Sequence, residues 1–164
     1  MSSPAELCAS ELPMDSTLTG PVLIIGSGLL GASIGLGLRA AGCEDVYVQD
    51  ISPTAEAVAQ DIGAGISFST LSEEERAALA PQLVVVAAPP DSAGAVCARA
   101  LNTYAPRPEA GYPGAVVTDV ASVKVQPLAD VLASGADASR YVGSHPMAGR
   151  EKSGPVAARG ELFQ

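Results

Sequence analysis

Short runs of uninterrupted apolar residues recur along this chain, and between them lie longer segments framed by helix caps and breakers. Residues 21–25 (PVLII) are the first run, the pattern of a strand buried on both faces. They lead into GSGLLG (26–31) and then ASIGLGLRAAG, which reads as a helix closed by Gly42. DVYVQD (45–50) predicts a second strand, after which Ser52 as N-cap and Pro53 at the first helical position open a helix. ISFS (66–69) predicts a short third strand, and Ser72 with Glu75 forms a capping-box signature ahead of RAALA.

QLVVVAAPP (82–90) is the most hydrophobic strand candidate, stopped by two prolines, with Asp91 expected to cap the helix SAGAVCARALNTYA. GAVVTDV (114–120) predicts another buried strand, PLADVLASG a helix, and YVGSHP (141–146) a last strand. Strands alternating with helices at this spacing require a parallel sheet covered on both faces. The expected architecture is one doubly wound, mostly parallel α/β domain over residues 20–164, preceded by a flexible leader over 1–19.

Composition narrows the function. The 164 residues are 48% hydrophobic and only 16% charged, which is globular. The net charge is −9, with nine Lys and Arg that form no cluster, which excludes a nucleic-acid partner. No segment approaches the roughly 18 apolar residues of a membrane span, and the N-terminus lacks the basic and apolar regions of a secretory signal. Cys8, Cys43 and Cys97 fit no metal-ligand spacing, so no metal site is expected. Cys43 and Cys97 read as buried free thiols in a reducing, cytoplasmic setting.

GSGLLG gains meaning from its place between a strand and a helix, since glycines are common in this chain. In that context Gly26 makes the tight turn, Gly28 leaves room for a pyrophosphate, and Gly31 lets helix and strand pack closely. Ser27, Leu29 and Leu30 complete the loop, and the helix N-terminus offers unpaired N–H groups to phosphates. Asp50, at the end of the second strand, stands where a carboxylate accepts hydrogen bonds from the ribose hydroxyls. It would repel a 2′-phosphate, and DISPTAEA contains no Arg or Lys to welcome one, so NAD is expected over NADP. Ala88 and Pro89, at the end of the 82–90 strand, are expected to line the same cofactor site.

In an open parallel sheet the reactive site lies beyond the carboxyl ends of the strands. TDVASVK (118–124) and GSHPMAGRE (143–151) both fall there, bringing Ser122 and His145 to the same edge. His145 is the only histidine of the chain, and it stands in a polar turn rather than in an apolar face. A neutral imidazole suits removal of a hydroxyl proton while hydride leaves the same carbon. Ser122 would orient the ring or the substrate hydroxyl, and reads equally well as a turn serine. Lys124 reads as a solvated charge and Asp119 as a strand-end cap.

Together, VLIIGSGLLGASIGLGLRAAG, TDVASVK and GSHPMAGREKSG resemble the prephenate/arogenate dehydrogenase family of tyrosine biosynthesis. The resemblance runs from about residue 21 to the end, and its histidine motif is more specific than its glycine loop. It implies oxidative decarboxylation: prephenate gives 4-hydroxyphenylpyruvate and arogenate gives tyrosine. It further implies that His145 is the catalytic histidine, Ser122 its partner, and Glu151 an acidic residue beside the substrate entrance. The family adds a helical C-terminal domain that dimerises and supplies an arginine to a substrate carboxylate. That domain is expected to be absent here, since the chain stops at GELFQ while the family is still finishing its first domain. A module that holds NAD without turnover, and a dehydrogenase of the β-hydroxyacid type, are the alternatives.

Overall fold

The computed structural model describes residues 18–146 and 154–160. Six parallel strands form one sheet: β1 (Val22–Ile25), β2 (Val46–Gln49), β3 (Ile66–Ser67), β4 (Leu83–Val86), β5 (Val116–Asp119) and β6 (Tyr141–Gly143). Their order is β3-β2-β1-β4-β5-β6, so the chain winds outward from β1 in one direction, returns, and winds outward in the other. Among the described residues there are five α-helices, α1 (Leu29–Ala40), α2 (Pro53–Asp61), α3 (Glu73–Ala78), α4 (Pro90–Thr103) and α5 (Val125–Ala133), of which α1 and α2 pack on one face of the sheet and α4 and α5 on the other. This is the doubly wound α/β fold that the alternation of strands and helices predicts. Among the described residues no helix is long and apolar enough to cross a membrane.

The two-residue period of the strands divides the core into two layers. Val22 and Ile24 of β1, Val46 and Val48 of β2 and Val85 of β4 face Ala32 of α1 and Ala59 of α2. Leu23, Val84, Val86 and Val117 point the other way, against Cys97 and Leu101 of α4 and Val131 of α5. Burial on both faces is why these strands read as unbroken apolar runs. Small residues buried along α1 (Gly31, Ala32, Ser33 and Gly35) let that helix lie close to its neighbours.

Several boundaries differ from the sequence pattern. Helix α1 begins at Leu29, inside the glycine motif, with Gly28 at its N-cap. Helix α4 begins at Pro90, with Pro89 at the N-cap and Asp91 within the first turn instead of capping it. Proline at the first helical position lacks only an N–H that the helix leaves unpaired anyway. Strand β3 stops after two residues because the Ser67 N–H and hydroxyl turn to Gln60 and Glu56, and a 3₁₀ turn follows over Phe68–Thr70. Cys97 is buried as expected, whereas Cys43 is only half-buried. The capping box forms: the Ser72 hydroxyl accepts the Glu75 N–H at 3.2 Å, and the Glu75 carboxylate accepts the Ser72 N–H at 2.7 Å.

Candidate functional site

A cavity of about 960 Å³ opens beyond the carboxyl ends of β1, β2 and β4. Strands β1 and β4 are neighbours from which the chain departs in opposite directions, so their ends diverge into a crevice. Gly26, Gly28, Leu29 and Leu30 form one wall, Asp50 and Ile51 a second, and Ala87, Ala88 and Pro89 the floor toward α4.

The glycine turn is dictated by close approach. Gly26 has φ +102°, and a Cβ there would stand 2.5 Å from the Ala87 carbonyl oxygen. At Gly31 a Cβ would come within 1.9 Å of the Gly26 carbonyl oxygen, so α1 can pack over the turn only with glycine at this point. Gly28 differs: a Cβ there meets nothing within 4 Å, and it would fill room that belongs to the cavity. Among the described residues no side chain caps α1, and its first turn contains no acidic residue. The unpaired N–H groups and positive end of a 12-residue helix therefore face the cavity bare, a setting that attracts phosphate.

Ser27 has no exposed surface. Its N–H donates to Asp50 Oδ2 at 2.6 Å and its hydroxyl to the same oxygen at 2.8 Å, so it meets the cavity through Asp50 rather than directly. Asp50 Oδ1 accepts the Ser52 N–H at 2.9 Å. Burial pushes the Asp50 carboxyl upward, but the donors from Ser27 and Ser52 outweigh it and hold the group below its ordinary value. Asp50 is thus a fixed anion at the cavity rim, suited to accept from a diol and hostile to a phosphate.

Beneath it lies Glu56 of α2, 1% exposed. Its Oε2 accepts the Asp50 N–H at 2.9 Å, and its Oε1 accepts the Ser67 hydroxyl at 2.5 Å and the Ser69 N–H at 2.7 Å. Burial raises this carboxyl too, and again the hydrogen bonds prevail, so it stays charged below its ordinary value. Sequence reasoning missed Glu56, which in TAEAVAQD looks like any solvated helix residue. It also missed Ile51, Phe68, Val96, Arg99 and Tyr104, which line the same cavity. Ile51 is fully exposed, a property that its place in DISPTAEA does not reveal.

Ser122 follows β5 and His145 follows β6, both at the carboxyl edge and both exposed. Neither lines the cavity. Lys124 and Asp119 do more than a surface charge and a strand cap would. Asp119 is fully buried, and its carboxylate accepts from the Ala121 N–H at 2.9 Å, the Tyr141 hydroxyl at 2.5 Å and the Lys124 ammonium. Glu151 lies outside the described residues, as do Arg150 and Lys152 beside it.

Comparison with known proteins agrees with this geometry. The family model for the prephenate dehydrogenase nucleotide-binding domain matches residues 34–164. Among curated relatives, "Probable prephenate dehydrogenase NovF" of Streptomyces niveus is 40% identical over 141 residues, covering 86% of this chain and 34% of its own length. A prephenate dehydrogenase of Lactococcus lactis is 33% identical over 145 residues, 87% of this chain and 38% of its own. Among solved structures, prephenate dehydrogenase of Aquifex aeolicus, in complex with hydroxyphenyl propionate and NAD+, superposes with a TM-score of 0.73 at 28% identity. That match covers 91% of this chain and 49% of the solved one. The chain therefore spans between about a third and a half of the length of these relatives.

Proposed function

The chain belongs to the prephenate dehydrogenase family, and from that premise we propose that it binds NAD and serves the oxidative decarboxylation of prephenate to 4-hydroxyphenylpyruvate in tyrosine biosynthesis. One observation carries the reading: the bare N-terminus of α1 and the fixed carboxylate of Asp50 border a single cavity of about 960 Å³, within the size range of small-molecule and cofactor sites. The helix end answers the pyrophosphate and Asp50 answers the ribose diol. Two hydroxyls find acceptors there, whereas a 2′-phosphate meets a carboxylate that is held ionised, which favours NAD over NADP.

NAD, when bound, supplies the hydride acceptor. His145 takes the proton of the C4 hydroxyl as C4 gives up its hydride, and the electrons released by loss of CO₂ from C1 complete the aromatic ring. The proton returns to the new phenolate oxygen, so the imidazole is regenerated. A base of this kind contributes roughly 10²–10⁴-fold. Ser122 orients the imidazole or the substrate hydroxyl, and the family resemblance assigns Glu151 an acidic role toward the substrate. The family relatives are longer than this chain, and by the resemblance their helical domain supplies an arginine to a substrate carboxylate.

A second reading is NAD binding without turnover, favoured by the position of Ser122 and His145 outside the cavity lining. The two readings separate when prephenate and arogenate are each supplied with NAD and with NADP. Formation of NADH and CO₂ from prephenate supports the first. Tight NADH binding with no product supports the second, and failure to bind either dinucleotide defeats both.

A further inference from the structure

The carboxyl ends of β5 and β6 are joined by a closed ring of polar contacts that a strand cap does not require. The backbone carbonyl of Asp119, the last residue of β5, accepts both the N–H of Ser144 at 3.0 Å and its hydroxyl at 2.7 Å. Lys124 donates to the Asp119 carboxylate and, at 2.5 Å, to the Ser144 carbonyl oxygen. The Tyr141 hydroxyl closes the other side of the carboxylate at 2.5 Å. Ser144 is thus held at its N–H, hydroxyl and carbonyl by two residues of the 119–124 segment, and the next residue is His145. A Cβ on Gly143 would stand 3.2 Å from the Lys124 side chain and 3.4 Å from the Tyr141 hydroxyl, so the turn lies flat against the ring.

A buried ion pair seldom contributes more to stability than apolar residues of the same volume. The Asp119 side chain has no exposed surface, whereas that of Lys124 is 36% exposed, so the pair bridges interior and rim. Its distinctive product is mutual registration of two loops, one carrying Ser122 and the other His145. The geometry points to Asp119, Lys124 and Tyr141 as a positioning cluster that fixes the His145 turn against the Ser122 loop. This rests on the reading of His145 as the base, for which a displacement of about 1 Å costs on the order of 10²-fold in rate.

Because His145 is the only histidine of the chain, its imidazole gives one assignable set of NMR signals. The test compares the protein with Lys124→Met, Lys124→Arg and Tyr141→Phe variants, reading the imidazole signals and NADH affinity of each. The expected result is displaced or broadened imidazole signals in Lys124→Met and Tyr141→Phe, recovery in Lys124→Arg, and NADH affinity retained throughout. Unchanged imidazole signals in Lys124→Met and Tyr141→Phe overturn the proposal, and so does a change that Lys124→Arg fails to restore. If Lys124→Met unfolds the chain, Tyr141→Phe carries the same test. Full prephenate turnover by His145→Asn would instead defeat the catalytic reading, without touching what the imidazole signals say about the cluster.

Discussion

Asp50 holds Ser27 twice through one oxygen: Oδ2 accepts the Ser27 N–H at 2.6 Å and its hydroxyl at 2.8 Å. The residue that reads the ribose and the turn that meets the pyrophosphate are therefore one rigid unit. Asp50→Ala removes the diol acceptor and leaves both Ser27 donors without it. We predict a loss of about 1.5–3 kcal/mol in NADH affinity, the worth of hydrogen bonds to a charged group, with NADPH weakened far less. Fluorescence titration of the variant with each dinucleotide checks this.

Gly28 and Gly31 belong to the same motif, but alanine should act on them in opposite ways. Gly31→Ala places a methyl 1.9 Å from the Gly26 carbonyl oxygen, so the folded state must shift. A loss of about 1–3 kcal/mol or more is expected, read as a lower melting temperature. Gly28→Ala meets no protein atom within 4 Å. It should melt close to the parent and lose affinity for the dinucleotide.

The contrast between these glycines marks how far sequence carried the fold and the site. Apolar runs located β1, β2, β4 and β5 because burial on both faces leaves a local trace. The Ser72–Glu75 capping box is equally local. Glu56 left no such trace, since its burial depends on Ser67, Ser69 and the Asp50 backbone arriving from other elements. Arg99 and Tyr104 line the cavity from the second half and the C-cap of α4, a relation to the other walls that the sequence of α4 does not contain. Asp119 and Lys124 read as cap and surface charge because their partners, Tyr141 and Ser144, come from the next strand and its turn.

Acid should loosen the ribose side of the cavity first. Asp50 and Glu56 have ordinary values of 3.8 and 4.5 and lie below them in the folded protein. A carboxyl depressed by folding contributes its full stability above the unfolded value and loses it as pH falls through the folded one. Thermal melts taken from about pH 7 to about pH 3 should therefore change little until the ordinary carboxyl range and then fall steeply. Glu56→Gln sets an amide against three donors. It should cost about 1–3 kcal/mol at neutral pH and flatten the acid limb.

The two described thiols should differ in reactivity. Cys97 is fully buried in the α4 core, and burial, with the Asp119 charge adding to it, pushes its thiol up to about 12. The thiolate is the nucleophile, so Cys97 should resist alkylation in the folded protein. Half-buried Cys43 should be modified first, and mass mapping of alkylated peptides with and without denaturant reads the order.

A dinucleotide site served by a histidine base makes turnover, but not cofactor binding, depend on His145, and His145→Asn separates the two. Asparagine keeps a polar side chain in the turn but cannot accept the hydroxyl proton. NADH formation from prephenate and NAD is measured alongside NADH affinity for the protein and the variant. The expected result is equal NADH affinity and a rate lower by roughly 10²–10⁴-fold in the variant. Prephenate oxidation by His145→Asn at the parent rate, with NADH bound as tightly, would rule out His145 as the base.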